Sequence, residues 1–345
     1  MAASSSSTPE SRPGGRLFGS KYQLVRKLGE GGMGVVYQVV KPPHIQGVLK
    51  RMNPDLARHE AFVKMFLDEV SVLAQLEHPN IVRVHDFDRG DDGVPFYVME
   101  LLVGQNLRDV LDAKGVLPPH VAFEVARQLL SALHCAHTHD TPVVHRDVKP
   151  ENIFLHTPRH GPPVVKLIDF GVVAFADGRS EGTFSGTVRY AAPEQLQAQP
   201  ASPKSDLYAA GLVLYEMLAG ASPFEHHAHD DERLAAAQLS EEPAPLRDVA
   251  PWIPAPVAAL VMRAIHKDPA QRPADAKRFC AELVDLGAVR RVADGHSPWE
   301  DRQAALLRAR SVRGQPRLTS LWPEVLAGLA AGGAALLALH ALARR

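Results

Sequence analysis

His145-Arg146-Asp147-Val148-Lys149-Pro150-Glu151-Asn152 carries the densest run of chemistry in the chain, and Asp169-Phe170-Gly171 follows it after two strand-like stretches. An Asp with an Asn five positions on, and a second Asp beyond a strand pair, gathers one proton acceptor and two oxygen donors for a hard divalent cation around one point. Lys149, two residues after the first Asp, adds a positive charge that can stabilise negative charge developing on oxygen. Ile153-Phe154-Leu155 and Val164 to Ile168 read as the strands between these motifs. The Pro/Gly-rich turn joining them, His156 to Pro163, is a surface insertion whose length costs the site little.

Upstream, Tyr22 to Leu28 and Val35 to Val40 read as strands flanking Gly29-Glu30-Gly31-Gly32-Met33-Gly34. Where side chains are missing, backbone N–H groups can close over phosphates. This glycine spacing alone is weak evidence, because dinucleotide-binding folds place it between a strand and a helix. Here the β-branched run Val35-Val36-Tyr37-Gln38-Val39-Val40 follows, so the turn joins strand to strand. The next basic residue in an apolar strand is Lys50, in Gly47-Val48-Leu49-Lys50. Phe62 to Leu76 has helical periodicity, with Leu73 and Leu76 on one face and Glu69 along it, and His78-Pro79-Asn80-Ile81-Val82 comes next. Phe96-Tyr97-Val98-Met99-Glu100-Leu101-Leu102 reads as a buried strand running into a linker.

In this order the motifs resemble the protein kinase family, of the bacterial eukaryotic-like serine/threonine type, from Tyr22 to about Leu286. The resemblance implies an α+β, bilobal fold, with a small β-rich N-lobe carrying one helix (about 21–100) and a larger, mainly helical C-lobe (about 104–286). It implies transfer of the ATP γ-phosphoryl group to protein Ser or Thr hydroxyls. Asp147 then accepts or orients the hydroxyl proton, Lys149 steadies the transferring group, and Asn152 and Asp169 hold Mg²⁺, with Mn²⁺ as an alternative. Lys50 holds the α- and β-phosphates and pairs with Glu69. The implied nucleotide contacts are Leu28, Gly29, Glu30, Gly31, Gly32, Met33, Gly34, Val36, Val48, Lys50, Met99, Glu100, Leu102 and Phe154. Met99 controls the back of the adenine pocket, and backbone groups around Glu100 and Leu102 bond the base. Val48 stands where the family usually has Ala, which narrows that pocket.

Further roles come from the same resemblance. Lys149 together with Gly186-Thr187, ahead of Ala192-Pro193-Glu194, accompanies Ser/Thr specificity. Glu194 pairs with Arg272 in Lys267-Asp268-Pro269-Ala270-Gln271-Arg272-Pro273, and Asp206 braces the catalytic loop. Arg146 before Asp147 marks kinases whose activation loop is ordered by a phosphate. Thr183 is the expected site, with Ser180 and Ser185 as neighbours, modified by autophosphorylation within a homodimer. Two alternatives belong to other classes. A pseudokinase scaffold would bind nucleotide or partners without catalysis, against which the intact set Lys50, Glu69, Asp147, Asn152 and Asp169 counts. A nucleotide-dependent dehydrogenase needs a parallel sheet after the Gly-rich turn, which the strand-turn-strand pattern opposes.

Composition sets the remaining bounds. With 345 residues, 46% hydrophobic and 22% charged, the chain can bury a full core, and its net charge of −1 creates no field that gathers nucleic acid. Cys135 and Cys280 are too few and too distant for a disulfide framework, as in a reducing compartment. Residues 1–20 read as a disordered Ala/Ser/Pro/Gly leader without an apolar segment, and residues 287–320 as an Arg-rich juxtamembrane linker. Residues 321–345 contain Val325 to Leu342, rich in Ala, Gly, Leu and Val, approaching the ~20 residues a membrane helix needs. The expected arrangement is a cytoplasmic catalytic domain tethered to the inner or plasma membrane by this segment, with Trp322 at the interface and the preceding Arg residues holding the domain inside. The alternatives are an Ala-rich helix that packs on a partner, and a soluble cytoplasmic protein. His134, His137 and His139, and His226, His227 and His229, lack a second ligand pair nearby in sequence and are not read as metal sites.

Overall fold

A computed structural model describes residues 18–32, 34–170, 187–286 and 301–306, the side chain of Glu69 excepted. It has two compact units, residues 18–74 with 83–101, and residues 75–82 with 102 onward. Met33, the segment 171–186 and the segment 321–345 therefore lie outside the described residues, together with the expected phosphosites Ser180, Thr183 and Ser185 and the candidate span. Among the described residues, no helix is long and apolar enough to cross a membrane.

The first unit is an antiparallel five-stranded sheet in the order β1-β2-β3-β5-β4. Its strands are β1 (Gln23–Gly31), β2 (Gly34–Lys41), β3 (Ile45–Met52), β4 (Val84–Arg89) and β5 (Pro95–Glu100), and helix α1 (Glu60–Gln75) lies between β3 and β4 in sequence. The period-two alternation of strands separates two faces. Val39, Leu49, Phe96 and Val98 cluster with Tyr22 on one, while Met52, Val94 and Tyr97 meet Phe66 and Val70 of α1 on the other. In β3 the register sets Lys50 opposite Val36 on one side and Tyr97 on the other, on the face that receives α1.

The second unit holds a small sheet, β6 (Gly104–Asn106), β7 (Ile153–His156) and β8 (Val164–Leu167), and the helices α2 (Leu107–Lys114), α3 (Pro119–His137), α4 (Pro193–Leu196), α5 (Pro203–Ala219), α6 (Asp231–Ser240), α7 (Leu246–Val249), α8 (Ala255–Ala264) and α9 (Ala276–Asp285). Helix α5 is buried almost along its whole length. Its low amphipathicity follows, because neighbours cover it on every side. Pro203 at the first turn, the Ser202 hydroxyl accepting from Lys204 N–H and left-handed Gly220 at the end delimit it.

Two placements depart from the sequence expectation. Residues 75–82 group with the helical unit, because Leu167 N–H donates to Asn80 C=O (2.8 Å), Val82 N–H to Leu167 C=O (3.0 Å), and the Asn80 amide to Gln128 Oε1 and Val165 C=O (2.8 and 2.9 Å). Within the span read as a linker, residues 301–306 are helical and docked on the helical unit. Gln303 donates to Val116 C=O (3.0 Å), and Leu306 lies over Gly115 and Gly220, where a β-carbon on Gly220 would come within 2.4 Å of it.

Candidate active site

The loop 145–152 is built around one buried carboxylate. Asp206 in the first turn of α5 is 1% exposed, and its Oδ1 accepts from Arg146 N–H (2.8 Å) while Oδ2 accepts from His145 N–H (2.8 Å) and faces His137 Nε2 at 2.7 Å. These contacts hold Arg146 at φ +69°, a left-handed conformation that a non-glycine residue adopts only when its surroundings enforce it. Gln195 of α4 fixes the same residue from the other side by donating to Arg146 C=O (3.0 Å). His145 is fully buried. Its Nδ1 accepts from Asp147 N–H (3.3 Å), its Nε2 donates to Ile168 C=O (3.2 Å), and its ring lies 4.5 Å from that of Phe170. Burial pushes this imidazole below its ordinary range despite nearby Asp206 and Asp147, so it is a neutral packing and hydrogen-bonding element.

On this support Asp147 is held at one carboxylate oxygen, Oδ2, and at its backbone carbonyl. Lys149 Nζ lies 2.7 Å from Asp147 Oδ2 and donates to Thr187 Oγ1 at 3.0 Å. The Asn152 amide nitrogen donates to Asp147 C=O (2.8 Å) and to Oδ2 (3.0 Å), which turns its carbonyl oxygen into the group available to a hard cation. Ile168 N–H donates to Asn152 C=O at 2.9 Å, so the residue just before Asp169 is tied to Asn152. Asp169 itself takes φ +51°. The donor set thus fits a divalent cation in type, two oxygen-bearing side chains on adjacent, pinned backbone. Phe154 sits on β7 opposite Lys166, half-buried.

In the sheet unit, β1 and β2 pair as far as Gly31 opposite Gly34, with a register shift between Lys27 and Gly29. Leu28, Gly29, Glu30, Gly31 and Gly32 are exposed along this edge. A β-carbon placed on Gly29, Gly31 or Gly32 would meet nothing within 4 Å, so internal packing does not demand glycine there. An open backbone edge that no packing requires fits a cradle for an anionic ligand. Gly34 differs, since a β-carbon there would fall 2.0 Å from Arg51 C=O, and the close β2–β3 approach excludes any side chain. Lys50 Nζ lies 5.9 Å from the Tyr97 ring centroid. Val36 is half-buried and Val48 buried, the latter paired with Met99. At the end of β5, Glu100 N–H donates to Arg83 C=O (3.0 Å) and its carboxylate accepts from Arg83 N–H (2.9 Å), while Leu102 belongs to the helical unit. The expected Lys50–Glu69 pair falls outside the described side chains, although α1 and Lys50 share one face of the sheet.

The expected supporting ion pair is present. Arg272 is buried, with both terminal nitrogens on the Glu194 carboxylate (2.7 and 2.9 Å), and its other N–H groups reach His266, Lys204 and Lys267 carbonyls at 2.8 to 3.0 Å. Sequence reasoning missed the roles of His137, Gln195 and the Asn80–Gln128 pair. The His137 imidazole had a signal, its place in a His cluster at the end of α3, but nothing local pointed to Asp206.

Comparison with known proteins decides the family: the model of the protein kinase domain matches residues 22–284, most of the chain. The chain belongs to the protein kinase family. This kinase is 36% identical over 291 residues to the serine/threonine-protein kinase pkn3 of Myxococcus xanthus, covering 81% of this chain and 52% of that one. It is 31% identical over 275 residues to PrkC of Bacillus subtilis (78% and 41%), and 36% identical over 306 residues to PknL of Mycobacterium tuberculosis (85% and 74%). The kinase thus spans about half the length of the first of these relatives, and more of PknL. Among solved structures, the M. tuberculosis PknI kinase domain is similar, with a TM-score of 0.61 and 28% identity over 80% of this chain and 100% of that one. The fold is the bilobal protein kinase fold of the bacterial serine/threonine type.

Proposed function

We propose that this kinase transfers the ATP γ-phosphoryl group to Ser or Thr hydroxyls of proteins. The observation that carries the reading is the Asp147 carboxylate, held by Lys149 and Asn152 on a loop pinned through Asp206. In this arrangement Asp147 orients an incoming hydroxyl and accepts its proton, and Lys149 offers an ammonium beside the reacting centre. Mg²⁺, or Mn²⁺ in its place, held by Asn152 and Asp169, supplies neutralisation of phosphate charge. Lys50 and the glycine edge of β1 and β2 bind phosphates, and the end of β5 with Leu102 and Phe154 binds the base. The contact from Lys149 to Thr187 supports Ser/Thr acceptors, since it links the catalytic loop to the segment expected to flank the acceptor.

Regulation by autophosphorylation of Thr183, with Ser180 and Ser185 as neighbours, in trans between two copies, completes the reading. Membrane tethering by residues 321–345 rests on their composition and the Arg-rich stretch before them. The test is labelled transfer from Mg-ATP by the full chain to itself and to a generic basic protein, followed by phosphoamino acid analysis. Phosphoserine and phosphothreonine are expected, and label on tyrosine alone, or none, defeats the proposal.

A further inference from the structure

Away from the catalytic loop, the fold supplies a third ligand to a histidine cluster that the sequence alone did not mark as a metal site. His226 and His227 lie in a single 3-10 turn, Glu225–His227, and Glu241 is the residue that ends α6. His226 Nε2 lies 2.9 Å from Glu241 Oε1, and His227 Nε2 lies 3.1 Å from Oε2. The two imidazole rings stand 4.1 Å apart, and the donor atoms all fall within 4.8 Å of one another. Tetrahedral Zn²⁺ with bonds of about 2.0–2.2 Å holds its ligand atoms roughly 3.3–3.5 Å apart, so only small side-chain movements separate this arrangement from coordination.

We propose that His226, His227 and Glu241 form a Zn²⁺ site. Two neutral imidazoles with one carboxylate suit a borderline divalent ion better than Mg²⁺ or Ca²⁺, which take oxygen ligands. Three protein ligands leave a position for water, and the exposure of His226 (55%) and Glu241 (40%) lets the ion exchange with solvent. The support beneath is firm. Lys267 Nζ donates to Ala237 and Gln238 carbonyls (3.0 and 2.8 Å) at the end of α6, and lies 4.3 Å from the Phe224 ring beside the His turn.

The location gives the site a consequence. Glu225 in the His turn takes Arg189 in two hydrogen bonds (2.9 and 3.2 Å), and Gln238 in α6 donates to Arg189 C=O at 2.6 Å. The ion therefore clamps together the two elements that grip Arg189, two residues beyond the Thr187 that Lys149 contacts. Occupancy stiffens the segment 187–192.

The test is titration of the full chain with Zn²⁺ alone against a chromophoric chelator, beside His226→Ala, at an exposed position, and Glu241→Gln, at a half-buried one. One equivalent is expected to bind with an affinity that falls at least ~10-fold in each variant, while metal-free thermal midpoints stay unchanged. Wild-type affinity in both variants, or no binding by the parent chain, overturns the site. Amide hydrogen exchange across 187–192 is expected to slow with Zn²⁺ in the parent and not in Glu241→Gln. Equal exchange with and without the ion overturns the clamp. Neither readout depends on phosphoryl transfer, so the site stands or falls apart from the proposed activity.

Discussion

Replacing Arg272 by Met removes the most completely satisfied cation described in the helical unit. All five guanidinium N–H groups have acceptors, two on Glu194 and three on backbone carbonyls, and the side chain is 0% exposed. Met fills the volume but strands the Glu194 carboxylate, which keeps the Ser205 hydroxyl at 2.7 Å and its own backbone N–H but no cation. Breaking a buried pair from one side costs about 3–5 kcal/mol, against ~5–15 kcal/mol for a typical domain. Glu194→Met strands the guanidinium instead. Arg272→Met with Glu194→Met leaves neither charge, so its loss is expected to fall short of the sum of the singles by ~2–3 kcal/mol. The assay is urea denaturation of the full chain followed by circular dichroism and tryptophan fluorescence, compared at the midpoint. Acid provides a second readout. Burial pushes the Glu194 carboxyl up, but the Arg272 guanidinium outweighs it and holds the group below its ordinary 4.5. The pair's stabilisation is thus present above that value and lost as pH falls through the lower folded one, and Arg272→Met should lose stability at a higher pH. A loss under about 1 kcal/mol in Arg272→Met, or additivity of the two singles within ~0.5 kcal/mol, would show that Glu194 and Arg272 do not stabilise the fold as a pair.

Two other outcomes follow from the geometry. Gly31→Ala with Gly32→Ala should leave the thermal midpoint within ~2 °C, because no atom stands where the new methyls go, yet weaken ATP binding at least ~10-fold in calorimetry; unchanged affinity removes the phosphate cradle. His78 accepts Asn80 N–H at Nδ1 (3.1 Å) and faces Ser131 Oγ at Nε2 (3.0 Å), and burial, then the charges of Lys166 and His134, lower its pKa below 6.5. The unfolded chain therefore takes up a proton at His78 more readily, and stability should fall as pH drops below 6.5. Denaturation midpoints at pH 7.5 and 5.5 check this, and His78→Asn, which keeps an acceptor without titrating, should show a smaller decline.

The parts of this kinase legible in its sequence are those whose partners lie close in the chain or whose spacing is dictated by the chemistry. Asp147, Lys149 and Asn152 fall within six residues, and the glycines of the β1–β2 edge are read from the strands on either side. Glu194 and Arg272 stand 78 residues apart and were read only through resemblance, since nothing local joins them. Separations of 69 and 48 residues hid the Asp206–His137 contact and the Asn80–Gln128 pair that attaches residues 75–82 to the helical unit. The docking of Leu306 was illegible for a different reason: its receptor is a pair of turn glycines, Gly115 and Gly220, which present no side chain to read. The third ligand beside His226 and His227 lies 14 residues past the second, beyond any motif.

Transfer of the ATP γ-phosphoryl group by the full chain, compared with Asp147→Asn under single-turnover conditions with Mg²⁺, asks whether Asp147 is the base of an active kinase. The asparagine keeps the shape of Asp147 but cannot take a proton, so the rate is expected to fall ~10²–10⁴-fold with ATP affinity preserved. Equal rates in the two proteins would contradict the assignment of Asp147, and the absence of transfer by the parent chain despite ATP binding would contradict the catalytic reading as a whole.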